Sequence, residues 1–325
     1  MGDPLFTVII PTFNRRELVV ETLRSVFAQE PTIATAPGDA DASEASAGGG
    51  VDYEVIVVDD GSTDSTLDVL RGYGDRLTLL EQQHGGCAAA RNRGARAAQG
   101  RYLAFLDDDD LWFPWTLATF AAAAREQGEP AFIAGRLSVF HHEDELQRVE
   151  REPPRLHAAA DLLAGSVEHG FFLGVAHGVV RRDAYLEVGG CEERNINATD
   201  SDVLLKMGDR PGFALVAAPA TLAYRRHEGR TTTNMDKALA GVRLLLDHER
   251  AGRYPGGRAR KRERMINILA RARGVTAGAL RWGFPGVAWR VYAATFAWSV
   301  RLGRLRYLAA VPAMLPLAWL RRPRS

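Results

Sequence analysis

The chain has 325 residues, of which 46% are hydrophobic and 25% are charged, and its formal net charge is +1. This composition is ordinary for a globular protein, and it excludes a mainly disordered chain, a collagen and a polytopic membrane protein. The length is sufficient for one large domain with an appendage or for two domains. Two cysteines are too few for a disulfide scaffold or a zinc site built from cysteine alone.

The near-zero net charge hides two regions of opposite sign. Residues 249–325 contain 17 Lys and Arg residues and 2 acidic residues, a balance of +15. Residues 1–248 contain 24 basic and 38 acidic residues, a balance of −14. This asymmetry indicates different partners for the two regions: divalent cations for the acidic body and an anionic surface for the basic tail.

The first 130 residues alternate between short β-branched runs and segments with helical periodicity. Strands are predicted at 6–10, 53–58, 77–81 and 101–106, and helices at 16–29, from about residue 65, at 87–99 and at 115–127. Residues 31–52 consist largely of Ala, Gly, Ser, Asp, Thr and Pro, which predicts a flexible surface loop. The alternation predicts a doubly wound, mostly parallel α/β sheet flanked by helices.

The second half is less regular. Strands are predicted at 131–140 and 175–180, short helices at 183–188 and 200–207, and a charged loop at 141–155. Residues 213–224 are predicted to be extended but broken at Pro219, which cannot donate a ladder hydrogen bond.

Polar residues follow three of the predicted strands directly: Pro11-Thr12, Asp59-Asp60 and the run from Asp107 to Asp110. Ligands bind at the carboxyl ends of the strands in such sheets, so these residues are expected on one rim. Adjacent ionised aspartates repel one another, and Mn²⁺ or Mg²⁺ would relieve that repulsion. The alternative is an acidic turn or helix N-terminus with no ligand.

Four motifs, in this order, resemble those of family 2 glycosyltransferases. They are Val8-Ile-Ile-Pro-Thr-Phe-Asn14, Glu54-Val-Ile-Val-Val-Asp-Asp-Gly-Ser-Thr-Asp64, the segment 86–94 with Ala90-Arg91-Asn92, and Phe105-Leu-Asp-Asp-Asp-Asp-Leu-Trp112. The resemblance covers roughly residues 5–235, with 31–52 as an insertion. It implies a GT-A fold, a nucleotide-diphosphate sugar donor, a divalent metal and inversion at the anomeric carbon.

The resemblance also implies roles for individual residues on the donor side. It places Pro11, Thr12 and Phe13 at the nucleoside and Asp60 at the base. Arg91 is expected near the nucleotide. Asp107 and Asp108 are also expected to bind the nucleotide sugar, with Asp108 near the ribose. Asp109 is expected to bind the metal, and Asp110 to support the acidic turn. His227, in Tyr224-Arg-Arg-His-Glu-Gly-Arg, matches a position that binds the metal or the diphosphate, although a surface or core histidine is an equal alternative.

The resemblance places the catalytic base in the second half of the chain. Gly189-Gly-Cys-Glu-Glu193 precedes Thr199-Asp200-Ser201-Asp202, so Asp200 matches the catalytic carboxylate, with Thr199 where the family commonly has glutamate. The alternative role for Asp200 is a helix N-cap. Asp202 is the rival position and is expected to be structural. The cluster His141-His142-Glu143-Asp144 is expected to be an exposed polar loop.

The basic tail lies outside the resemblance. We expect a GT-A domain over residues 1–240 and a basic, aromatic-rich helical region over 241–325. Residues 307–320 form its longest late uncharged run, which is shorter than the ~20 residues that span a bilayer. Interspersed arginines and tryptophans instead favour helices lying on an anionic membrane surface, with packing or self-association as the alternative and nucleic-acid binding disfavoured.

The sequence therefore predicts a metal-dependent inverting glycosyltransferase that acts on a glycan or a lipid-linked acceptor. Residues 1–11 show no secretory signal, so a cytoplasmic protein, peripheral on the inner face of the membrane, is expected. An inactive sugar-nucleotide-binding or scaffold protein is one alternative. A sugar-phosphate nucleotidyltransferase is another, disfavoured because Pro11-Thr-Phe-Asn14 replaces a Gly-rich phosphate loop.

Overall fold

A computed structural model describes residues 3–30, 51–170, 174–226 and 234–320, and within these ranges nine strands form one sheet. The strands are β1 (Phe6–Thr12), β2 (Tyr53–Asp59), β3 (Thr78–Glu81), β4 (Tyr102–Phe105), β5 (Leu111–Trp112), β6 (Phe132–Phe140), β7 (Arg155–Asp161), β8 (Gly178–Arg181) and β9 (Pro211–Arg225). The α-helices are α1 (Arg16–Phe27), α2 (Thr66–Arg71), α3 (Cys87–Ala97), α4 (Thr116–Glu126), α5 (Leu162–His169), α6 (Arg182–Glu187), α7 (Thr199–Lys206), α8 (Met235–Arg250), α9 (Lys261–Arg281), α10 (Pro285–Arg301) and α11 (Leu305–Leu320).

The sheet has the order β3-β2-β1-β4-β8-β6-β9-β5, and β7 also pairs with β9. Strands β3, β2, β1 and β4 are parallel to their neighbours, as predicted for the first half. Beyond β4 the sheet is mixed: β8 is antiparallel to both β4 and β6, β6 and β9 are parallel, and β5 and β7 are antiparallel to β9. The predicted α/β class is confirmed, and β3, β2, β1 and β4 form the continuous parallel part of the sheet.

Three local predictions in the second half were wrong or incomplete. Residues 175–177 form a 3₁₀ turn, so β8 begins only at Gly178. Strand β9 is not broken at Pro219, because its pairing with β6 shifts register between Ala134 and Leu137 and so places the proline in an irregular stretch. Strand β7 and helix α5 were not predicted, since 155–161 contains no β-branched residue.

Alternate residues of the buried strands pack on opposite faces of the sheet. In β1, Ile9 belongs to a core shared with α3, α5, α7 and α8, whereas Val8 and Ile10 belong to a core shared with α1 and α4. All seven residues of β1 are buried, which is typical of a parallel strand covered on both sides. The two helical layers therefore fix the sheet and leave the carboxyl ends of its strands open.

The C-terminal helices share the first of these cores. Leu245 of α8, Ile268 of α9 and Val291 of α10 belong to the same cluster as Leu163 and Phe213, and α9 contacts α5. The predicted boundary between residues 240 and 241 falls inside α8. The division into two domains stays a prediction from the sequence.

Two ion pairs hold the C-terminal helices in place, one of them to the sheet-bearing part. The carboxylate of Asp161 caps α5 at Ala164 N (2.9 Å) and accepts two hydrogen bonds from Arg260 (2.7 Å each). Within the C-terminal region, the guanidinium of Arg264 donates to Glu249 at 2.7 and 3.1 Å, with both side chains at most 5% exposed. Removing one partner of such a pair leaves a buried charge uncompensated.

We predict that Arg264→Ala lowers the free energy of unfolding by about 3 kcal/mol, because Glu249 then stays buried without its main counter-charge. The matched control is Arg250→Ala, which removes a pair with Asp247 whose side chains are 68% and 66% exposed and should cost less than about 1 kcal/mol. Urea titration followed by tryptophan fluorescence measures both values. Equal losses in the two variants would contradict the prediction.

Candidate active site

The four aspartates that follow β4 form a tight turn, in which Asp110 N donates to Asp107 O (3.1 Å). Asp107, Asp109 and Asp110 each offer an oxygen, and these atoms lie within 4.8 Å of one another. Three carboxylates so close repel one another unless a cation lies among them. Oxygen donors of this kind suit Mn²⁺ or Mg²⁺, so the residues present fit a divalent metal.

Asp108 is not part of this triad and joins the turn to β1. Its Oδ2 accepts a hydrogen bond from Thr12 Oγ1 at 2.7 Å. Burial raises the pKa of Asp108 to about 7, although the attraction of Arg15 opposes the rise. The predicted convergence of the β1 and β4 ends on one rim is therefore seen in a direct side-chain contact.

Two arginines that the sequence reasoning missed hold the acidic turn. Arg15 Nη1 lies 2.6 Å from Asp109 Oδ2 and 3.2 Å from Asp108 Oδ1. Burial lowers the pKa of Arg15, but the attraction of these carboxylates outweighs it and the net pKa is raised. Arg225, at the end of β9, donates from its backbone N to Asp110 Oδ1 and from Nε to Asp109 O, both at 3.0 Å.

Arg91 on α3 lies at the centre of the candidate site. Its Nη2 donates to Asp107 Oδ1 at 2.5 Å, and the residue is 7% exposed. Burial lowers its pKa, but surrounding negative groups, among them Asp107 and Asp200, keep the pKa well above its ordinary value. Arg91 is therefore the buried cation that holds the acidic turn from the side of α3.

Asp60 organises the loop between β3 and α3. Its carboxylate accepts hydrogen bonds from Gly85 N and Gly86 N (2.8 Å each) and from Gln82 Nε2 (2.7 Å). His84 Nδ1 lies 2.9 Å from Asp60 Oδ2. The structure therefore brings Asp60 to the predicted rim, where its two oxygens fix the backbone of residues 82–86.

The predicted nucleoside loop after β1 presents an exposed aromatic surface. Phe13 is 37% exposed, and its ring centroid lies 4.3 Å from that of His84. Pro11 and Thr12 are buried beside it, and Thr12 O accepts from Asp60 N at 2.9 Å. His84 was missed from the sequence, because an isolated histidine in a polar segment carries no motif.

Asp200 is the second residue of α7 and not its N-cap, a position held by Ala198 with a left-handed φ of 66°. Its Oδ1 accepts from Ser201 N (2.8 Å) and lies 3.6 Å from Arg271 Nη2 on α9. A Cβ placed on Gly174 would lie 3.3 Å from Asp200 Oδ2 and from the ring of His177. Arg271 and His177 are thus further residues at the site that no sequence motif indicated.

Asp202 is fully buried and turned away from this space. It accepts from Tyr254 OH at 2.7 Å, its Oδ1 lies 2.6 Å from His248 Nδ1, and Lys206 Nζ lies 2.8 Å from Oδ2. These contacts fit the structural role expected for it. His141, predicted to lie in an exposed polar loop, is exposed, whereas His227 and residues 31–50 of the predicted loop lie outside the described residues.

The sequence of the chain is similar to that of known glycosyltransferases. The sequence profile described as "Glycosyl transferase family 2" matches residues 7–187. A validoxylamine A glucosyltransferase of Streptomyces hygroscopicus subsp. limoneus is 42% identical over 124 residues, which are 37% of this chain and 24% of that protein. The chain thus spans about a quarter of the length of this curated relative.

Solved structures share the fold. The 1–349 fragment of S. aureus TarS in complex with UDP-GlcNAc superposes with a TM-score of 0.59 at 19% identity, covering 98% of this chain and 89% of that one. A mannosyltransferase from Pyrobaculum calidifontis in complex with GDP-Man and Mn²⁺ gives a TM-score of 0.51 at 21% identity, covering 98% and 87%. With a family profile that matches more than half of its length, the chain belongs to glycosyl transferase family 2.

Proposed function

We propose that the protein is a metal-dependent, inverting glycosyltransferase that transfers a sugar from a nucleotide diphosphate to a hydroxyl of a glycan or lipid-linked acceptor. The observation that carries the proposal is the acidic turn after β4, where three aspartate oxygens lie within 4.8 Å of one another and Arg91 holds Asp107 from α3. Asp200 at the start of α7 adds a carboxylate that can accept a proton. An inactive binding protein would need neither group.

The donor occupies the rim formed by the ends of β1, β2 and β4. Phe13 and His84 offer an aromatic surface to the base, and Asp60 keeps the 82–86 backbone in place beside it. Pro11 and Thr12 line the nucleoside end, with Asp108 held toward the ribose by Thr12. Arg91 and Asp107 lie at the diphosphate side, in line with neighbours of this fold that bind UDP-GlcNAc or GDP-Man.

Asp109, with Asp107 and Asp110, is proposed to hold the metal, and His227 to complete the ligand set or to contact the diphosphate. When bound, Mn²⁺ or Mg²⁺ supplies positive charge that stabilises the departing diphosphate. The neighbour with GDP-Man also contains Mn²⁺, which supports a divalent metal.

Asp200 is proposed as the general base of a single displacement. Its carboxylate takes the proton of the acceptor hydroxyl while the acceptor oxygen forms a bond to the anomeric carbon. The bond from that carbon to the diphosphate oxygen breaks, and its electron pair leaves with the nucleoside diphosphate. Attack opposite the leaving group inverts the anomeric configuration. Arg271 orients the Asp200 carboxylate from α9.

We predict metal-dependent binding of at least one nucleotide sugar, measured by calorimetry over a panel of UDP and GDP sugars with Mn²⁺ or Mg²⁺. Asp109→Ala should abolish this binding, because it removes a metal ligand, whereas Asp200→Asn should leave it intact. Both should lower donor turnover, followed as hydrolysis, by at least about 100-fold. Absence of metal-dependent binding to every donor would overturn the transferase proposal.

Asp68→Asn is the matched control for these two carboxylate variants, because its side chain is 79% exposed on α2 and it should keep full turnover and donor affinity. Near-normal turnover in Asp200→Asn would show that another group is the base while leaving the transferase proposal intact.

A separate prediction concerns Arg271. Arg271→Ala should lower turnover about tenfold, the equivalent of ~1.4 kcal/mol, with the KM for the donor unchanged, because it acts on the base and not on the donor. Arg271→Lys should recover part of the loss. Arg273→Ala, an exposed arginine two residues along the same helix, is the control. A raised KM with unchanged kcat would contradict a role in positioning Asp200.

The C-terminal helices are proposed to place the enzyme on an anionic membrane surface. Helix α11 contains no charged residue after Arg306, yet only Val311 and Ala318 are buried, and Leu305 and Leu320 are 73% and 85% exposed. Helices that are hydrophobic all round are normally buried in a core or a membrane. No helix within the described residues is both long enough and apolar enough to cross a bilayer.

Charge favours a membrane over a second copy of the chain. Arg301, Arg304 and Arg306 are exposed at the α10–α11 connection, and α10 presents Trp289 and Phe296 beside them in sequence. Two copies meeting through this surface would bring like charges together, whereas an anionic bilayer attracts the arginines and accepts the aromatic side chains.

We predict that the full chain floats with phosphatidylglycerol-containing vesicles at low salt and not with pure phosphatidylcholine vesicles. Phe296→Ser/Trp319→Ser should weaken vesicle binding by about 30-fold, since each side chain is about half exposed and its transfer into the membrane contributes ~1 kcal/mol, half of the value for full burial. Val139→Ser/Leu186→Ser removes similarly exposed apolar groups elsewhere and should have no effect. Failure to float, or a concentration-dependent dimer that only the first variant abolishes, would overturn the membrane proposal.

A further inference from the structure

A cleft of about 610 Å³ lies outside the acidic rim, against the outer face of α8. One wall is a stripe of α8 that includes Asp236, Arg243 and Asp247 at helical spacing. The other walls carry Arg194, from the segment before α7, and Arg290 of α10. A volume of this size is within the range of small-ligand sites.

The lining of this cleft has an excess of positive charge without counter-ions. Arg194, Arg243 and Arg290 are exposed and make no ion pair or side-chain hydrogen bond with any described residue. Of the two acidic residues in the lining, Asp247 is already paired with Arg250 at 2.9 Å. Like charges that converge on a concave surface produce a positive potential that attracts anions.

A fourth arginine in the lining, Arg253, is linked through His248 to Asp202 of α7. Arg253 Nη1 can only donate, so His248 Nε2, 3.1 Å away, accepts. The proton of His248 is therefore on Nδ1, which donates to Asp202 Oδ1 at 2.6 Å. Asp202 and Asp200 lie on the same short helix, so the cleft has a fixed position relative to the proposed base.

The segment that carries Arg194 also separates the cleft from the donor rim. Its Asn195 lies against Gly86, where an added Cβ would be 3.5 Å from the amide carbon. Lys237 Nζ of α8 donates to Asn195 Oδ1 at 2.6 Å. Asn195 thus contacts the loop before α3, whereas Arg194 borders the cleft.

We propose that this cleft binds an oligomeric anion that bears phosphate or carboxylate groups. The guanidinium groups of Arg194, Arg243 and Arg290 would each donate a bidentate pair of hydrogen bonds to one such group. We further propose that this anion is the glycosyl acceptor. This part rests on the proposed function, because a hydroxyl of the anion must then reach Asp200. The binding of the anion itself does not depend on that function.

Binding of fluorescent probes to the full chain, without donor or metal, tests the proposal. The probes are a short polyphosphate, a hyaluronan oligosaccharide, which carries carboxylates, and a neutral maltooligosaccharide. We expect at least one anionic probe to bind at physiological salt and the neutral probe not to bind. The anion bound more tightly shows whether phosphate or carboxylate is the recognised group.

Arg243→Gln/Arg290→Gln should weaken binding of the preferred probe at least tenfold and leave nucleotide-sugar affinity unchanged. Arg258→Gln/Arg273→Gln removes the same charge from exposed positions outside the cleft and should change probe affinity less than twofold. Equal loss in both variants would mean that only bulk charge attracts the probe, and it would overturn the proposal, as would failure of both anionic probes to bind. Since donor binding is measured separately, neither result bears on the transferase proposal.

Discussion

The repulsion among four consecutive aspartates is the constraint on which the arrangement of the site depends. A turn with this charge is stable only where other elements supply donors, because adjacent ionised carboxylates raise one another's free energy. The fold supplies one partner to each aspartate from a different element: Arg91 of α3 to Asp107, Thr12 of β1 to Asp108, Arg15 of the β1–α1 turn to Asp109, and the Arg225 backbone of β9 to Asp110. The shape of the turn is therefore set by the whole sheet, and its rigidity comes from long-range contacts.

The donor side of the site could be predicted from the sequence because its signals are local. Strands β1, β2 and β4 are apolar runs, each followed directly by polar residues, and parallel strands bring such residues to one rim. The partners could not be predicted, since Arg15 and Arg225 are separated from the aspartates by about a hundred positions and no motif assigns either of them to the acidic turn. Likewise, Arg271 meets Asp200 only because α9 packs against α8 and α5. Strand β7 was not predicted because its sequence has little β propensity. It forms a strand because it pairs with β9.

The opposed charges of the two regions also explain how the chain is held together. Part of the positive charge of residues 249–325 is used internally, where Arg260 pairs with Asp161, Arg264 with Glu249 and Arg271 with Asp200. These contacts, together with the shared core, make the C-terminal helices a second support for the catalytic side of the sheet. The arginines of α10 and of the α10–α11 connection are not used in this way, and their charge remains on the surface.

The chemistry proposed for the acidic turn favours a position of the exposed arginines away from it. Arg15 Nη1 lies 2.6 Å from Asp109 Oδ2, so Arg15 and a metal ion in the proposed triad would share the carboxylate of Asp109. Further arginines at the rim would compete with a metal ion for these carboxylates. The arginines that we propose to bind an anion or a membrane lie elsewhere: Arg243 and Arg290 border the cleft on α8 and α10, and Arg301, Arg304 and Arg306 lie around the α10–α11 connection.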